Sequence, residues 1–304
     1  MAATRRQLGA DPALSVRMFI TMLLLAALYG AFVWVLWEVG ASAITIFVFV
    51  ALMAGVQYFF SDQLVLSSMQ ARVVTPAQEP ELHATLERLS AMADMPTPRL
   101  AVMETDVPNA FATGRSPRHS AVAVTRGLMR RLSSAELEAV LAHELSHIKH
   151  RDVAVMTFAS FFATVASLIV QNIYYMRRFS RVGGRRDERS SRGAAVVLVW
   201  LAALVVWVIS YFLIRALSRY REFAADRGAA VLTGSPANLM SGLLAISGAM
   251  ERIPTEDMRQ IGGLNAFLIV PALRRESLME LFSTHPSLQR RLAQLQRIEQ
   301  EMHH

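Results

Sequence analysis

Four stretches of this 304-residue chain are almost entirely apolar, and polar segments separate them. The first two cover residues 17–38 and 41–60 with a very short link, and the others cover 153–175 and 194–214. Each has about the 20 residues that a helix needs to cross the hydrocarbon core of a bilayer. The length of the first run, and the second run directly after it, disfavour a cleaved signal peptide. The pattern therefore predicts about four apolar helices, arranged as two hairpins.

Between the hairpins, residues 61–152 follow the periodicities of a domain exposed to water. Apolar positions at helical spacing after Pro80 predict a helix, since proline is favoured near a helix start. Residues 99–105 and 119–125 have the alternating or β-branched pattern of short strands. The intervening segment 108–118 is compatible with an irregular edge strand or with a turn between the two strands.

The most informative segment follows these strands and contains two histidines one helical turn apart. Ser133 and Glu136 match a capping box, which predicts a helix start. His143 and His147, at positions i and i+4, project from one face and could both bind a zinc ion at about 2.0–2.1 Å. Glu144 borders the same face, where it could accept a proton from water. This is the HExxH arrangement of zinc peptidases.

A catalytic zinc site commonly takes three protein ligands and leaves one position open to water. The best candidate for the third ligand is Glu222, which lies beyond the second hairpin. Asp226, four residues later on the same helical face, could orient a ligating histidine. Taken alone, this pair is more typical of a solvated helix face.

Four motifs in this order resemble the HtpX family of membrane zinc endopeptidases, which is related to the CAAX prenyl proteases. They are PNAFATG (108–114), HELSH (143–147), EFAAD (222–226) and STHPS (283–287). The likeness extends over nearly the whole chain, including both apolar hairpins. It implies one zinc ion per chain.

The resemblance also implies roles for individual residues. His143, His147 and Glu222 would bind the zinc ion, and Glu144 would be the catalytic base. Asp226 would support the ligands from outside the coordination sphere.

Two further site assignments keep their alternatives open. His285 is either part of the cap of the last helix, before Pro286, or a group that reaches the active site, as in relatives. Asn109, Ala110, Phe111 and Ala112 are either an edge strand that binds an extended substrate or part of a turn.

These observations predict a mainly helical α+β membrane protein with a zincin-like HExxH catalytic domain. Residues 1–16 form a cytoplasmic tail, and 17–60 form the first transmembrane hairpin. Residues 61–152 form the first part of the catalytic domain, a small sheet plus the HExxH helix. Residues 153–214 form the second hairpin with an arginine-rich loop. Residues 215–304 complete the catalytic domain with the third ligand and the C-terminal helices.

The implied reaction is hydrolysis of peptide bonds. By resemblance, the substrates are damaged or misfolded proteins, including membrane proteins, in quality control and the stress response. One alternative is a specific protease that processes lipidated or secreted proteins. Another is a membrane scaffold or transporter without catalysis, although such a protein has no need of Glu144.

The charge and the absence of cysteine narrow the range of possible binding partners and metal ligands. The formal net charge is +7, but many arginines flank apolar runs, as membrane-edge residues do, and only Lys149 is a lysine. No nucleic-acid-binding motif is present, so polypeptide substrates and the lipid bilayer are the expected partners. The chain has no cysteine, which excludes disulfides and thiolate ligands.

The arginines give conflicting indications of topology. Arg5, Arg6 and Arg17 favour a cytoplasmic N-terminus in the cell membrane, and two crossings then return the active site to the cytoplasm. If the second hairpin also crosses, its loop 176–193, with seven arginines, lies outside, against the positive-inside tendency. Three arrangements of this hairpin are compatible with the sequence: full crossing, which we favour, entry only partway into the bilayer, or packing on the catalytic domain.

Overall fold

The computed structural model describes residues 12–38, 65–171, 186–250 and 285–303, with isolated positions between 48 and 63. The mainly helical α+β class is confirmed. In chain order the helices and strands are α1 Pro12–Glu38, β1 Arg72–Val73, α2 Pro80–Met92, β2 Arg99–Met103, β3 Ala110–Ser116, β4 His119–Thr125, α3 Arg126–Met129, α4 Ser134–Lys149, α5 Asp152–Gln171, α6 Arg186–Thr233, α7 Pro236–Met250 and α8 Leu288–His303.

Three helices within the described residues, α1, α5 and α6, are long and apolar enough to cross a membrane. The fourth predicted apolar helix, residues 41–60, lies outside the described residues apart from isolated positions. The three helices bury a shared apolar cluster between them, while large apolar side chains such as Phe19, Trp34 and Val205 are exposed on their outer faces. Such faces are stable against lipid rather than water, so the chain is a multi-pass membrane protein.

Helix α6 is a single element of 48 residues, about 72 Å long at 1.5 Å per residue. The apolar run 194–214 is only its central part. The helix continues beyond this run because residues 215–233 contain no proline, and it is followed by Gly234 with a φ of 71°. The helix therefore has no break at the domain boundary predicted between residues 214 and 215.

The water-exposed domain contains a four-stranded sheet in the order β1-β2-β4-β3. Strand β2 runs parallel to β4, while β1 pairs antiparallel with β2, and β3 antiparallel with β4. Strand β3 therefore forms one edge of the sheet. The segment that was compatible with a turn is a strand from Ala110 to Ser116.

Helix α4 lies at the centre of this domain, packed against the sheet and against α2, α6 and α7. Its residues from Ala139 to Ser146 are all buried. The predicted capping box at its start is confirmed, because the Ser133 hydroxyl accepts from the Glu136 N–H and the Glu136 carboxylate accepts from the Ser133 N–H. Hydrogen bonds from Ser241 and from the Ser133 backbone hold the pKa of Glu136 below its usual value. The capping box thus fixes the start of α4, and the neighbouring elements pack closely around the helix.

Candidate metal centre

Two histidines of α4 and one carboxylate of α6 converge in the interior of the protein. One ligand atom from each of His143, His147 and Glu222 lies within 4.8 Å of the other two. The two Nε2 atoms are 3.1 Å apart. Glu222 Oε2 is 3.6 Å from His143 Nε2, and Glu222 Oε1 is 3.5 Å from His147 Nε2. The structure therefore brings together the three residues that the sequence singled out as ligands.

These distances fit a tetrahedral metal ion. Ligands bound at 2.0–2.1 Å in a tetrahedron are roughly 3.3–3.4 Å apart. The two histidine nitrogens are 3.1 Å apart, and each lies 3.5–3.6 Å from a different oxygen of Glu222. Two imidazole nitrogens and one carboxylate oxygen are a donor set that zinc accepts in catalytic sites, with the fourth position open. The buried Glu222 Oε2 also accepts no hydrogen bond within the described part of the chain. The residues present fit a divalent cation.

Each histidine is oriented by a carboxylate on its other nitrogen. Asp226 Oδ1 lies 3.0 Å from His143 Nδ1, and Asp152 Oδ2 lies 2.6 Å from His147 Nδ1. The His147 contact has hydrogen-bond geometry, while the His143 contact is a close approach of the carboxylate. A proton at each Nδ1 would leave the Nε2 lone pairs free for a metal ion. The two carboxylates therefore favour the tautomer that metal binding needs.

Two arginines hold these carboxylates in place. Arg291 donates two hydrogen bonds to Asp226, at 2.9 and 2.6 Å, and its Nη1 lies 3.4 Å from Glu222 Oε2. Arg221 Nε lies 3.1 Å from Asp152 Oδ1. Because Arg291 is only 2% exposed, its ion pair with Asp226 is shielded from solvent.

The acidic surroundings of His143 favour positive charge at this point. Burial alone would lower the pKa of His143, but the neighbouring carboxylates of Asp226 and Glu222 outweigh burial and raise it to about 9. The same negative potential that holds a proton attracts a metal ion, and metal binding would release that proton.

Glu144 and His285 are the two remaining predicted catalytic residues, and both are buried. Glu144 is only 3% exposed and stands between the two histidines on α4. His285 is also buried, with Nδ1 3.4 Å from Glu222 Oε1. Since α8 begins at Leu288, Ser287 rather than His285 occupies the position before its first residue. The structure thus places His285 against the candidate ligand.

The predicted substrate segment lies beside the same helix. Strand β3 packs against α4 and pairs with β4 alone among the described strands. Asn109, just before the strand, is fixed by two hydrogen bonds of 2.9 Å, its N–H to Thr125 Oγ1 and its C=O from the Thr125 N–H. Ala110 and Phe111 are buried and Ala112 is half-buried. The strand also contacts α5, and its backbone edge away from β4 pairs with no described strand.

The cluster lies where membrane helices enter the water-exposed domain. Asp152, the partner of His147, is the first residue of α5. Glu222 is on α6, eight residues or about 12 Å beyond the apolar run that ends at residue 214. Both membrane helices therefore contribute directly to the candidate metal centre.

Three of these residues, Asp152, Arg221 and Arg291, were not identified from the sequence. Asp152 directly follows the HExxH helix and Arg221 directly precedes Glu222. An acid close behind the second histidine is a weak signal for an imidazole partner. Nothing in the sequence around Arg291 indicates that this arginine of an amphipathic helix is buried.

The chain is similar to known peptidases over most of its length. The sequence model of Peptidase family M48 matches residues 76–299. A protein of Moorella thermoacetica named Protease HtpX homolog is 63% identical over 298 residues, 98% of each chain. Protease HtpX homolog 1 of Streptomyces coelicolor is 51% identical over 293 residues, covering 96% of this chain and 95% of the relative.

A solved structure shares the fold. The crystal structure of S. mikatae Ste24p superposes with a TM-score of 0.56 at 19% sequence identity. The match covers 94% of this chain and 67% of that one. At this identity the likeness concerns the arrangement of the helices and the sheet.

Proposed function

The chain belongs to Peptidase family M48, and we propose that it is a membrane zinc endopeptidase that hydrolyses damaged or misfolded membrane proteins. The observation that carries the proposal is the convergence of His143, His147 and Glu222, with their ligand atoms within 4.8 Å of one another. The relatives named Protease HtpX homolog support a role in quality control and the stress response.

In this proposal His143, His147 and Glu222 hold one zinc ion per chain, and Asp226 and Asp152 orient the two imidazoles. A zinc ion bound in such a site lowers the pKa of water and polarises a carbonyl oxygen.

Glu144 is the proposed general base. Its carboxylate accepts a proton from the attacking water as the water oxygen bonds to the scissile carbonyl carbon. The carboxyl group then gives that proton to the amine nitrogen as the C–N bond breaks. His285, beside Glu222, is proposed to donate a hydrogen bond to the oxygen of the tetrahedral intermediate.

We propose that the substrate lies extended along the backbone of Asn109, Ala110, Phe111 and Ala112. Three observations support this placement: β3 is an edge strand, it packs against α4, and its position is fixed through Thr125. Pairing between backbones is largely indifferent to side chains, which suits a protease that accepts many sequences.

Proteolysis by the detergent-purified protein tests this function. We expect casein and an unfolded membrane protein to be cut at many sites without a strong consensus. Cleavage should stop when 1,10-phenanthroline removes the metal and return when zinc is added. The cut sites are read by mass spectrometry of the peptides.

The same experiment separates the alternatives. A narrow consensus around the cut sites would favour a processing protease over quality control. Zinc-loaded protein that cuts neither substrate would support a non-catalytic scaffold and contradict the proposed function.

We further propose that the active site faces the cytoplasm and that the two-part catalytic domain of residues 61–152 and 215–304 surrounds a hairpin that crosses the bilayer fully. The uninterrupted path of α6 from the apolar run to Glu222 supports a crossing helix that ends in the catalytic domain. The apolar length of α5 agrees with this.

A single introduced thiol reports the topology, because the chain has no cysteine of its own. We expect Arg185→Cys to react with a membrane-impermeant maleimide in intact cells. Ser133→Cys is the internal control and should react only after lysis. Protection of position 185 until lysis would contradict full crossing of the second hairpin.

A further inference from the structure

The two helices that carry the candidate ligands approach each other through small residues. On α4, Ser146 directly precedes His147, and on α6, Gly228 follows Glu222 by six residues. Ser146 faces Gly228 across the interface, and Ala142 and Ala229 are fully buried on the same two helices. The separation of α4 and α6 is thus set by how closely these small side chains allow the backbones to pack.

The position of Gly228 has no room for a methyl group. A Cβ there would lie 2.5 Å from Ser146 Oγ and 2.9 Å from Ser146 Cβ, against 3.4–4 Å for ordinary contact. The Ser146 hydroxyl is itself bonded to the Ala142 carbonyl oxygen at 2.8 Å. Rotation of the serine could relieve the contact with Oγ but not the contact with Cβ. A methyl group at residue 228 therefore has to push the two helices apart by about 0.5 Å or more.

The candidate metal centre tolerates little separation of this kind. Glu222 is the one candidate ligand on α6. Its carboxylate oxygens lie 3.6 Å from His143 Nε2 and 3.5 Å from His147 Nε2. Metal–ligand distances in a sound site vary by only about 0.2 Å. A shift of about 0.5 Å between the helices exceeds that tolerance.

We propose that Gly228 and Ser146 form a helix spacer that sets the distance between the Glu222 carboxylate and the two histidines. These are positioning residues, because neither is among the three candidate ligands. The inference rests on the proposed function, since it assigns the spacer to the zinc site of that enzyme.

Gly228→Ala tests the spacer, and Gly242→Ala is its matched control. Gly242 lies on α7 and also faces α4, but a Cβ there would have ordinary contacts of 3.6 Å with Glu136 and Val140. The zinc dissociation constant is measured in detergent by competition with a chelating dye, and the melting temperature is measured on the zinc-free proteins. We expect Gly228→Ala to bind zinc about 10- to 100-fold more weakly, as when a group that orients a ligand is lost. We expect Gly242→Ala to stay within about twofold of the wild type, because ordinary contacts require no helix movement.

A second substitution should restore the zinc affinity that Gly228→Ala loses. Removing the opposing Cβ in the double variant Ser146→Gly, Gly228→Ala should restore zinc affinity to that of Ser146→Gly alone. A merely destabilising effect would lower the melting temperature without this reciprocal recovery of affinity.

The outcomes are distinct. Gly228→Ala with wild-type zinc affinity would overturn the spacer while leaving the proposed function intact. If Gly228→Ala does not fold, a double variant that folds and binds zinc supports the spacer. A double variant that still binds zinc weakly, or does not fold, overturns it. A wild-type protein that takes up no zinc would contradict the proposed function and the spacer together.

Discussion

Replacing Glu144 with glutamine is expected to slow peptide hydrolysis by about 10²- to 10⁴-fold, the contribution typical of a positioned general base. The two side chains have nearly the same shape, and the substituted position is buried between His143 and His147. The amide of glutamine cannot accept the proton that the carboxylate accepts. The metal ligands are unchanged, so zinc content should equal that of the wild type while the rate constant falls.

The matched control is Glu138→Gln, on the same helix. Glu138 forms a surface ion pair with Arg88 at 2.6 Å, and its loss should change activity little. The rates are measured on casein and on a membrane protein, with zinc determined in the same samples. A zinc-loaded Glu144→Gln protein that retains wild-type activity would exclude Glu144 as the base.

The helix that carries the histidines was predictable because its signals are local. The capping box at Ser133 and Glu136 fixes its start, and the i, i+4 spacing of His143 and His147 fixes their shared face. No tertiary information is needed to place two imidazole nitrogens together on such a helix.

Glu222 was not predictable in this way. It lies 75 residues after His147, beyond two long apolar runs of sequence, and its spacing to Asp226 is common on solvated helices. Glu222 was the best candidate for the third ligand, but its segment alone favoured a solvated helix face until the resemblance to a family was considered. The extent of α6 was also missed, because the change from apolar to polar residues near 214 marks the end of the apolar run and not the end of the helix.

The contact between Asp152 and His147 was also not predictable from the sequence. It reaches His147 because Arg151 turns the chain between α4 and α5 with a φ of 56°. Glycine would have been the usual signal for such a left-handed residue, and an arginine gives none. Arg291 was missed for a related reason, since a charged residue is buried only when partners such as Asp226 and Glu222 come from elsewhere in the chain.

Replacing Glu222 with glutamine is expected to weaken zinc binding by more than the 10- to 100-fold that loss of an orienting residue costs, because it removes a direct ligand. The substitution also removes the only negative charge among the three candidate ligands. It leaves Arg291 and His285 facing a neutral amide. Peptide hydrolysis should be lost with the zinc. Glu301→Gln is the control, because Glu301 contacts α6 through an exposed ion pair with Arg227 at 3.2 Å, outside the cluster.

The metal centre is tested by the zinc content of the wild type and of Glu222→Gln, measured on detergent-purified protein after gel filtration. We expect close to one zinc ion per wild-type chain and per Glu301→Gln chain. Glu222→Gln protein that elutes at the same volume should contain only a small fraction of this amount of zinc. Equal zinc in the wild type and in folded Glu222→Gln, or none in the wild type, would contradict a metal centre built from His143, His147 and Glu222.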